Sequence, residues 1–256
     1  MVRVTGRPAT VRREAAGPAG LLLVTAAAAW VWMVTHWGGM RAEPGTMGLD
    51  LPAFLAVWTL MTAAMMLPAT AAVASLYART ITVHRAPRMV AFTVGYLLVW
   101  AAAGLPAYAL AIGLGQAAHL PSTAGTVVAA AVFAISGVYQ LTPLKDRCLA
   151  RCRSPLGLIL RCAAHAGPSR DLRAGAHHGA FCLGCCWSLM VLLAAFGLMN
   201  LWAMVVLAAV ITAEKLAPAG RRVARATGIA SIALAVGVFW LPGLAPGLTG
   251  GGMAGM

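Results

Sequence analysis

Gly179–Asn200 reads GAFCLGCCWSLMVLLAAFGLMN, a stretch apolar and long enough to cross a bilayer. Its first turns carry Cys182, Cys185 and Cys186, and Met190 follows one turn later. On a helix, offsets of three, four and eight residues fall on one face, so the four form a sulfur stripe. The stripe runs inward from the expected helix start over roughly 12 Å, at about 1.5 Å per residue. Thiolate and thioether together suit a soft metal, Cu(I) above all.

The rest of the chain is of the same kind. Of its 256 residues 61% are hydrophobic and only 10% charged, with a mean hydropathy of +0.84, too apolar for a soluble domain. Runs of about 20 nearly uncharged residues predict membrane spans. Spans must satisfy their own backbone, so the fold class is all-α, a polytopic transmembrane bundle. Seven spans are expected, at about 19–37, 51–76, 89–114, 124–142, 179–200, 201–217 and 226–244. Residues 1–18 form a basic N-terminal segment, 143–177 a polar loop, and 247–256 a Gly/Met tail. The first span competes with a signal peptide, but WVWMVTHWGG lacks a small-residue cleavage site, and a retained anchor is the expectation.

The net charge of +13 invites a nucleic-acid reading, which the placement of the charges excludes. With the N-terminus in the cytoplasm, eighteen of nineteen Lys and Arg fall inside and only Arg41 outside. Basicity then reports topology and contact with lipid headgroups. The location implied is a cytoplasmic membrane.

This topology puts all six cysteines at or near the cytoplasmic face: Cys148, Cys152 and Cys162 in the polar loop, and Cys182, Cys185 and Cys186 in span five. The cytoplasm is reducing, so metal binding or thiol chemistry is a better reading than structural disulfides. A helix N-terminus favours thiolate. His178, four residues before Cys182, completes a possible donor set with the three cysteines, a set that admits Zn(II) as well as Cu(I). Plain packing remains the bland alternative for each cysteine. Cys148 and Cys152, spaced i, i+4 in KDRCLARCRSP, share a helical face, and the interleaved arginines favour thiolate; an amphipathic interfacial helix is the alternative. Cys162 is read as packing or a spare thiol.

Span two adds Met61, Met65 and Met66 before Pro68, which is expected to kink it. Counted from the inner end, Met65 lies about 16 Å deep, a depth that Met190 matches. If spans two and five pack together, these methionines extend a sulfur path to mid-membrane, with Met61 beyond; gap-filling is the competing explanation. His36, Met40, Met47, Met253 and Met256 could form an outer collecting patch, or an ordinary interface plus a tail. Glu214 and Lys215 close span six, where an acidic group calls for either a function or an arginine partner. His119 and Gln116 read as interfacial, and Gly95, Gly104, Gly113 and Gly137 as helix-packing positions.

MxxAMMLP in span two, YQLTPLKxxCLxxCRSPLG after span four, HHGAFCLGCCWSLM opening span five, GLMNLW at its end and AEK closing span six give roughly residues 50–240 a resemblance to the predicted metal-binding integral membrane proteins. These are small bacterial polytopic proteins often labelled copper chaperones. The resemblance implies a metal role, with copper as the cargo and a bacterial inner membrane as the location. It places Met65, Met66, Cys148, Cys152, His178, Cys182, Cys185, Cys186, Met190, Asn200 and Glu214 at motif positions. The first span, outer loop and tail lie outside it.

The reading is a membrane Cu(I) chaperone or relay whose partners are lipids and a membrane or cytoplasmic metalloprotein. Its rivals are a membrane thiol oxidoreductase using Cys182 and Cys185, and a subunit or assembly factor of a metalloenzyme complex. No phosphate loop is present to drive a pump.

Overall fold

A computed structural model of the protein describes residues 8–37, 45–118, 122–154, 157, 167 and 169–248. Arg41, Cys162, Met40, His119, Met253 and Met256 lie outside the described residues, as does most of 155–168. The described chain is helical: α1 (Pro8–Trp37), α2 (Leu51–Arg79), α3 (Arg85–Ala118), α4 (Ser122–Gln140), α5 (Pro143–Arg153), α6 (Arg170–Phe196), α7 (Leu201–Leu216) and α8 (Gly220–Gly237), then a 3-10 turn at Pro242–Leu244. No strand occurs among the described residues.

Local chemistry sets the helix starts. Asp50 accepts from the Ala53 amide at 3.0 Å and Pro52 occupies the first turn of α2. Thr142 caps α5 in the same way, followed by Pro143. At the hairpin between α6 and α7, Gly197 takes φ 96°, a left-handed conformation open to glycine, and Asn200 caps α7 through the Ala203 amide at 3.2 Å.

Among the described residues four helices, α2, α3, α4 and α6, are long and apolar enough to cross a membrane. In α1 the apolar described part is the shorter Gly20–His36. Pro68 sits inside α2 without ending it. The Ala64 carbonyl, which would have bonded the missing amide of residue 68, instead accepts the Trp30 indole N–H at 3.1 Å. That bond pins α1 to α2.

Several boundaries differ from expectation. α1 begins at Pro8, within the segment expected to precede the first span. α6, which carries the expected fifth span, begins at Arg170, not near 179, and ends at Phe196. The last begins at Gly220, taking Arg221, Arg222 and Arg225 into the helix, and ends at Gly237. Polar first turns hid the latter two starts from a hydropathy reading. The polar loop is likewise partly helical, since it supplies α5 and the opening turns of α6.

α3 and α6 form the most extensive helix pair. Gly95 faces the Leu172 carbonyl, Gly175 the Phe92 carbonyl, and a Cβ on Gly179 would stand 3.0 Å from the Tyr96 carbonyl oxygen. Small residues thus let two backbones touch. Gly104 and Gly137 also act as packing positions, where a Cβ would lie 2.6 Å from Leu55 and 2.7 Å from Ile232. Gly113 does not: nothing lies within 4 Å of its missing Cβ.

The charged ends gather at one end of the bundle. Arg88 of α3 pairs with Asp171 of α6 at 2.9 Å, and the Tyr77 hydroxyl of α2 donates to the same carboxylate. Arg221 of α8 approaches Asp146 of α5 at 3.8 Å, and Lys145 of α5 pairs with Glu214 of α7 at 2.6 Å.

Candidate metal centre

Just inside that polar end, α6 presents Cys182, Cys185 and Cys186, each at most 1% exposed. They stand more than three turns into the helix, because α6 starts at Arg170. The helix N-terminus is therefore too far away to stabilise their thiolates, contrary to the expectation for a helix starting near 179. A side chain does that work instead. The Lys215 ammonium of α7, buried at 6% exposure, donates to Cys182 Sγ at 2.9 Å and lies 3.7 Å from Met66 Sδ.

The other neighbours come from α2, α3 and α5. Tyr96 Oη lies 2.9 Å from Cys182 Sγ and 3.3 Å from Thr70 Oγ1. Cys186 Sγ lies 3.8 Å from Met66 Sδ. Cys152 of α5, 3% exposed, is buried close to Cys182 and Cys185. The end of Lys215 thus meets one thiol and one thioether directly, with three further thiols buried nearby. All the described cysteines are free thiols.

A polar frame holds this place. Glu214, the residue before Lys215, points to another side of α7. Its carboxylate takes Lys145 Nζ at 2.6 Å and Gln140 Nε2 at 3.2 Å. Lys145 Nζ also donates to the Cys185 carbonyl, and the Tyr139 hydroxyl to that of Gly184. Arg153 closes the end of α7 by donating to the Glu214 and Ala217 carbonyls at 2.9 and 2.7 Å. The arginine partner expected for the Glu214 carboxylate is therefore replaced by a buried lysine.

The proposed ligands are not all brought together. His178, one turn before Cys182, is 4% exposed; its ring lies against Phe92 and Tyr96, and its Nε2 has no hydrogen-bond partner among the described residues. Cys185 and Cys186 direct their thiols onto the Cys182 carbonyl, at 3.2 and 2.7 Å. Among the described residues no three His, Cys, Asp or Glu side chains form a ready-made metal cage, so the set His178, Cys182, Cys185 and Cys186 is not assembled in this arrangement. Met66 is the methionine that reaches the thiols. Met65 lines a groove with Trp30, Pro68 and Val205, and Met190 a cavity with Trp58, Trp100 and Trp187. Met61 lines a small pocket that it shares with Met47 and Met199. Met65 and Met190 thus face different spaces, and of the outer patch Met47 is packed beside Met61 while His36 is exposed and stacks on Trp32.

Cys148 is half-buried on α5, and a Cβ on Gly184 would stand 3.0 Å from its sulfur. Burial pushes its thiol up, with the nearby Cys185 adding to the effect and Arg151 and Lys145 only partly offsetting it. Cys152 is raised as well, first by the neighbouring Cys182 and Cys185 and then by burial. The arginines of KDRCLARCR therefore do not dominate, contrary to the expectation from sequence. Arg151 instead stacks on the Phe181 ring at 5.1 Å.

Two residues of the site went unread in the sequence, Lys215 and Tyr96. Lys215 carried one usable signal: an ammonium at the end of an apolar span needs an anionic or polar partner. Tyr96 carried none, since a tyrosine in an apolar helix reads as an ordinary packing residue. Sulfurs are the main neighbours of the Lys215 ammonium, and the Glu214 carboxylate is engaged by Lys145.

No curated protein and no solved structure matches the chain. A family profile does, across residues 55–238, which takes in all but the first turn of α2, every helix from α3 to α8 and all of the residues around Lys215. The chain belongs to that family, PpoB2, described as a copper chaperone.

Proposed function

We propose that the chain is a multi-pass protein of a bacterial cytoplasmic membrane, with seven spans and a cytoplasmic N-terminus, that carries Cu(I) as cargo. Its binding centre is the buried cluster of Cys152, Cys182, Cys185 and Cys186 with Met66. Cys148, half-buried on the same helix as Cys152, is the point of entry. His178 is a reserve nitrogen ligand one turn from Cys182. Met65, Met190 and Met61 line separate spaces and do not continue the cluster, so the ion passes from the thiols and Met66 to a membrane or cytoplasmic metalloprotein. The role is non-enzymatic.

One observation supports this reading above the others: a buried ammonium stands 2.9 Å from the Cys182 sulfur and 3.7 Å from that of Met66, with Cys186 3.8 Å from the same thioether and Cys152 and Cys185 buried close by. A core has no need of so many sulfurs at one point. Sulfur donors in the majority favour Cu(I) by chemistry rather than by cage geometry.

The test is elemental analysis of the detergent-purified full chain, loaded anaerobically with Cu(I), beside the Cys182→Ser/Cys185→Ser/Cys186→Ser variant. The native chain is expected to retain stoichiometric copper and the variant to lose it. Equal copper in both removes the proposal. Zinc retained in place of copper corrects the cargo, and quinone turnover by the metal-free protein replaces the chaperone with a thiol oxidoreductase.

A further inference from the structure

Charge around the cluster does not balance without the thiols. Lys145 and Lys215 are both buried, and Glu214 is the carboxylate beside them. Glu214 belongs to Lys145, at 2.6 Å, with Gln140 on its other oxygen. Asp171 is paired with Arg88 and Asp146 with Arg221. Arg153, at the rim, spends its donors on backbone carbonyls. Lys215 is left with Cys182 Sγ at 2.9 Å, Met66 Sδ at 3.7 Å and the other thiols around it. An uncompensated buried charge is costly, so the ammonium is matched by a thiolate.

We infer that Lys215 is the charge selector of this centre: its fixed positive charge, built into the ligand shell, makes the site neutral with a singly charged soft metal and unfavourable to a divalent one. The inference rests on the metal-binding reading above and names what sets its preference. Two thiolates, one Cu(I) and one ammonium sum to zero. Zn(II) in the same shell leaves one positive charge over, or requires a third thiolate. At ~5 Å and an effective dielectric of about 20, one surplus unit of charge weakens binding on the order of a hundredfold. Lys215 also explains how the empty centre persists in an apolar setting, since it is itself a monovalent cation held by sulfur.

The experiment compares Lys215→Met, Lys215→Gln and Lys215→Arg with the native full chain in detergent. Cu(I) and Zn(II) are each titrated against a chelator of known affinity. Methionine and glutamine are expected to shift the Cu(I)/Zn(II) preference toward zinc by about 10–100-fold; arginine keeps the native ratio, which a merely structural lysine would not ensure. A native ratio in either neutral variant overturns the inference and leaves copper binding standing. On the native chain, Ag(I) and Cd(II), both soft but of different charge, provide a reading that needs no variant. Cd(II) competing with Ag(I) on equal terms overturns the inference as well. A native chain that binds neither Cu(I) nor Ag(I) overturns the binding reading itself.

Discussion

The two halves of α6 are held in opposite ways. From Arg170 to Cys186 the helix is tied to its neighbours by polar groups and by glycines that let backbones touch: Asp171 to Arg88 and Tyr77, the Gly184 and Cys185 carbonyls to Tyr139 and Lys145, Gly175 and Gly179 to α3. From Trp187 to Phe196 the polar ties are fewer, the Ser188 carbonyl accepting from Ser136 and the Ala195 carbonyl from the Gly247 amide, and with Ala180, Leu183 and Gly184 this half borders a cavity of about 550 Å³ lined also by Trp58, Trp100, Pro106 and Leu110. The contrast follows from what each half buries. Charges and carbonyls out of water require partners at fixed distances, so their surroundings are determinate. Apolar side chains lose only weak, undirected contacts when packing is loose. Soft-metal chemistry needs a determinate place, and the sulfurs lie in the half that has one.

The contrast breaks most visibly at Glu214. Glu214→Ala strands the Lys145 ammonium at 0% exposure, and removing one partner of a buried pair costs about 3–5 kcal/mol. A large drop in the thermal midpoint of the detergent-solubilised protein is expected. The double variant Lys145→Met/Glu214→Leu should recover much of that loss, because an apolar pair of similar volume replaces an ionic one with little net cost. A Glu214→Ala protein that melts like the native chain would mean that the inner half is not held by its charges.

Gly175 comes next. A Cβ there would overlap the Phe92 carbonyl, whose carbon lies 2.7 Å away, and a helical backbone cannot retreat as a side chain can. Gly175→Ala is expected to cost about 1–3 kcal/mol, as overpacking does. The outer half should respond in the opposite sense. Ala107→Leu adds volume into the cavity and is expected to be neutral or stabilising by less than about 1 kcal/mol. Gly113→Ala meets nothing within 4 Å and gains helix propensity of about 0.5–1 kcal/mol. Thermal midpoints of the three variants order the two halves; a destabilised Ala107→Leu would show the cavity to be less yielding than the inner contacts.

Much of this arrangement was legible in the sequence because hydropathy and spacing carry it. The helical class, the register that puts Cys182, Cys185 and Cys186 on one buried face, and the helical pairing of Cys148 with Cys152 all follow from periods of three and four. What stayed hidden depends on how helices are rotated against one another. Met65 and Met66 are adjacent in sequence, and only the roll of α2 decides that Met66 turns to Cys186 while Met65 turns to Trp30. Glu214 and Lys215 are adjacent too, and one residue of helical rotation sends the first to Lys145 and the second to Cys182. Helix starts were misplaced for a related reason: at Arg170 and Gly220 the first turns are polar yet packed, and composition cannot distinguish a packed polar turn from a loop.

The smallest expected effect concerns access rather than stability. Of the five described cysteines only Cys148 is part-exposed; Cys152 and the three on α6 are buried. Cys148 should therefore react first with a water-soluble maleimide, and the inner four only after unfolding. The reactive species is the thiolate. Because burial and the neighbouring Cys185 raise the Cys148 thiol, less of it is ionised at neutral pH than of a free cysteine. Its labelling rate should then lag behind that of free cysteine near neutrality and go on rising through a higher pH range. Mass spectrometry of the intact protein across a pH series gives both the site and the rate. Fast modification of Cys182 or Cys186 in the folded protein would place the sulfurs in the accessible part of the molecule, and the difference between the two halves of α6 would no longer account for where they sit.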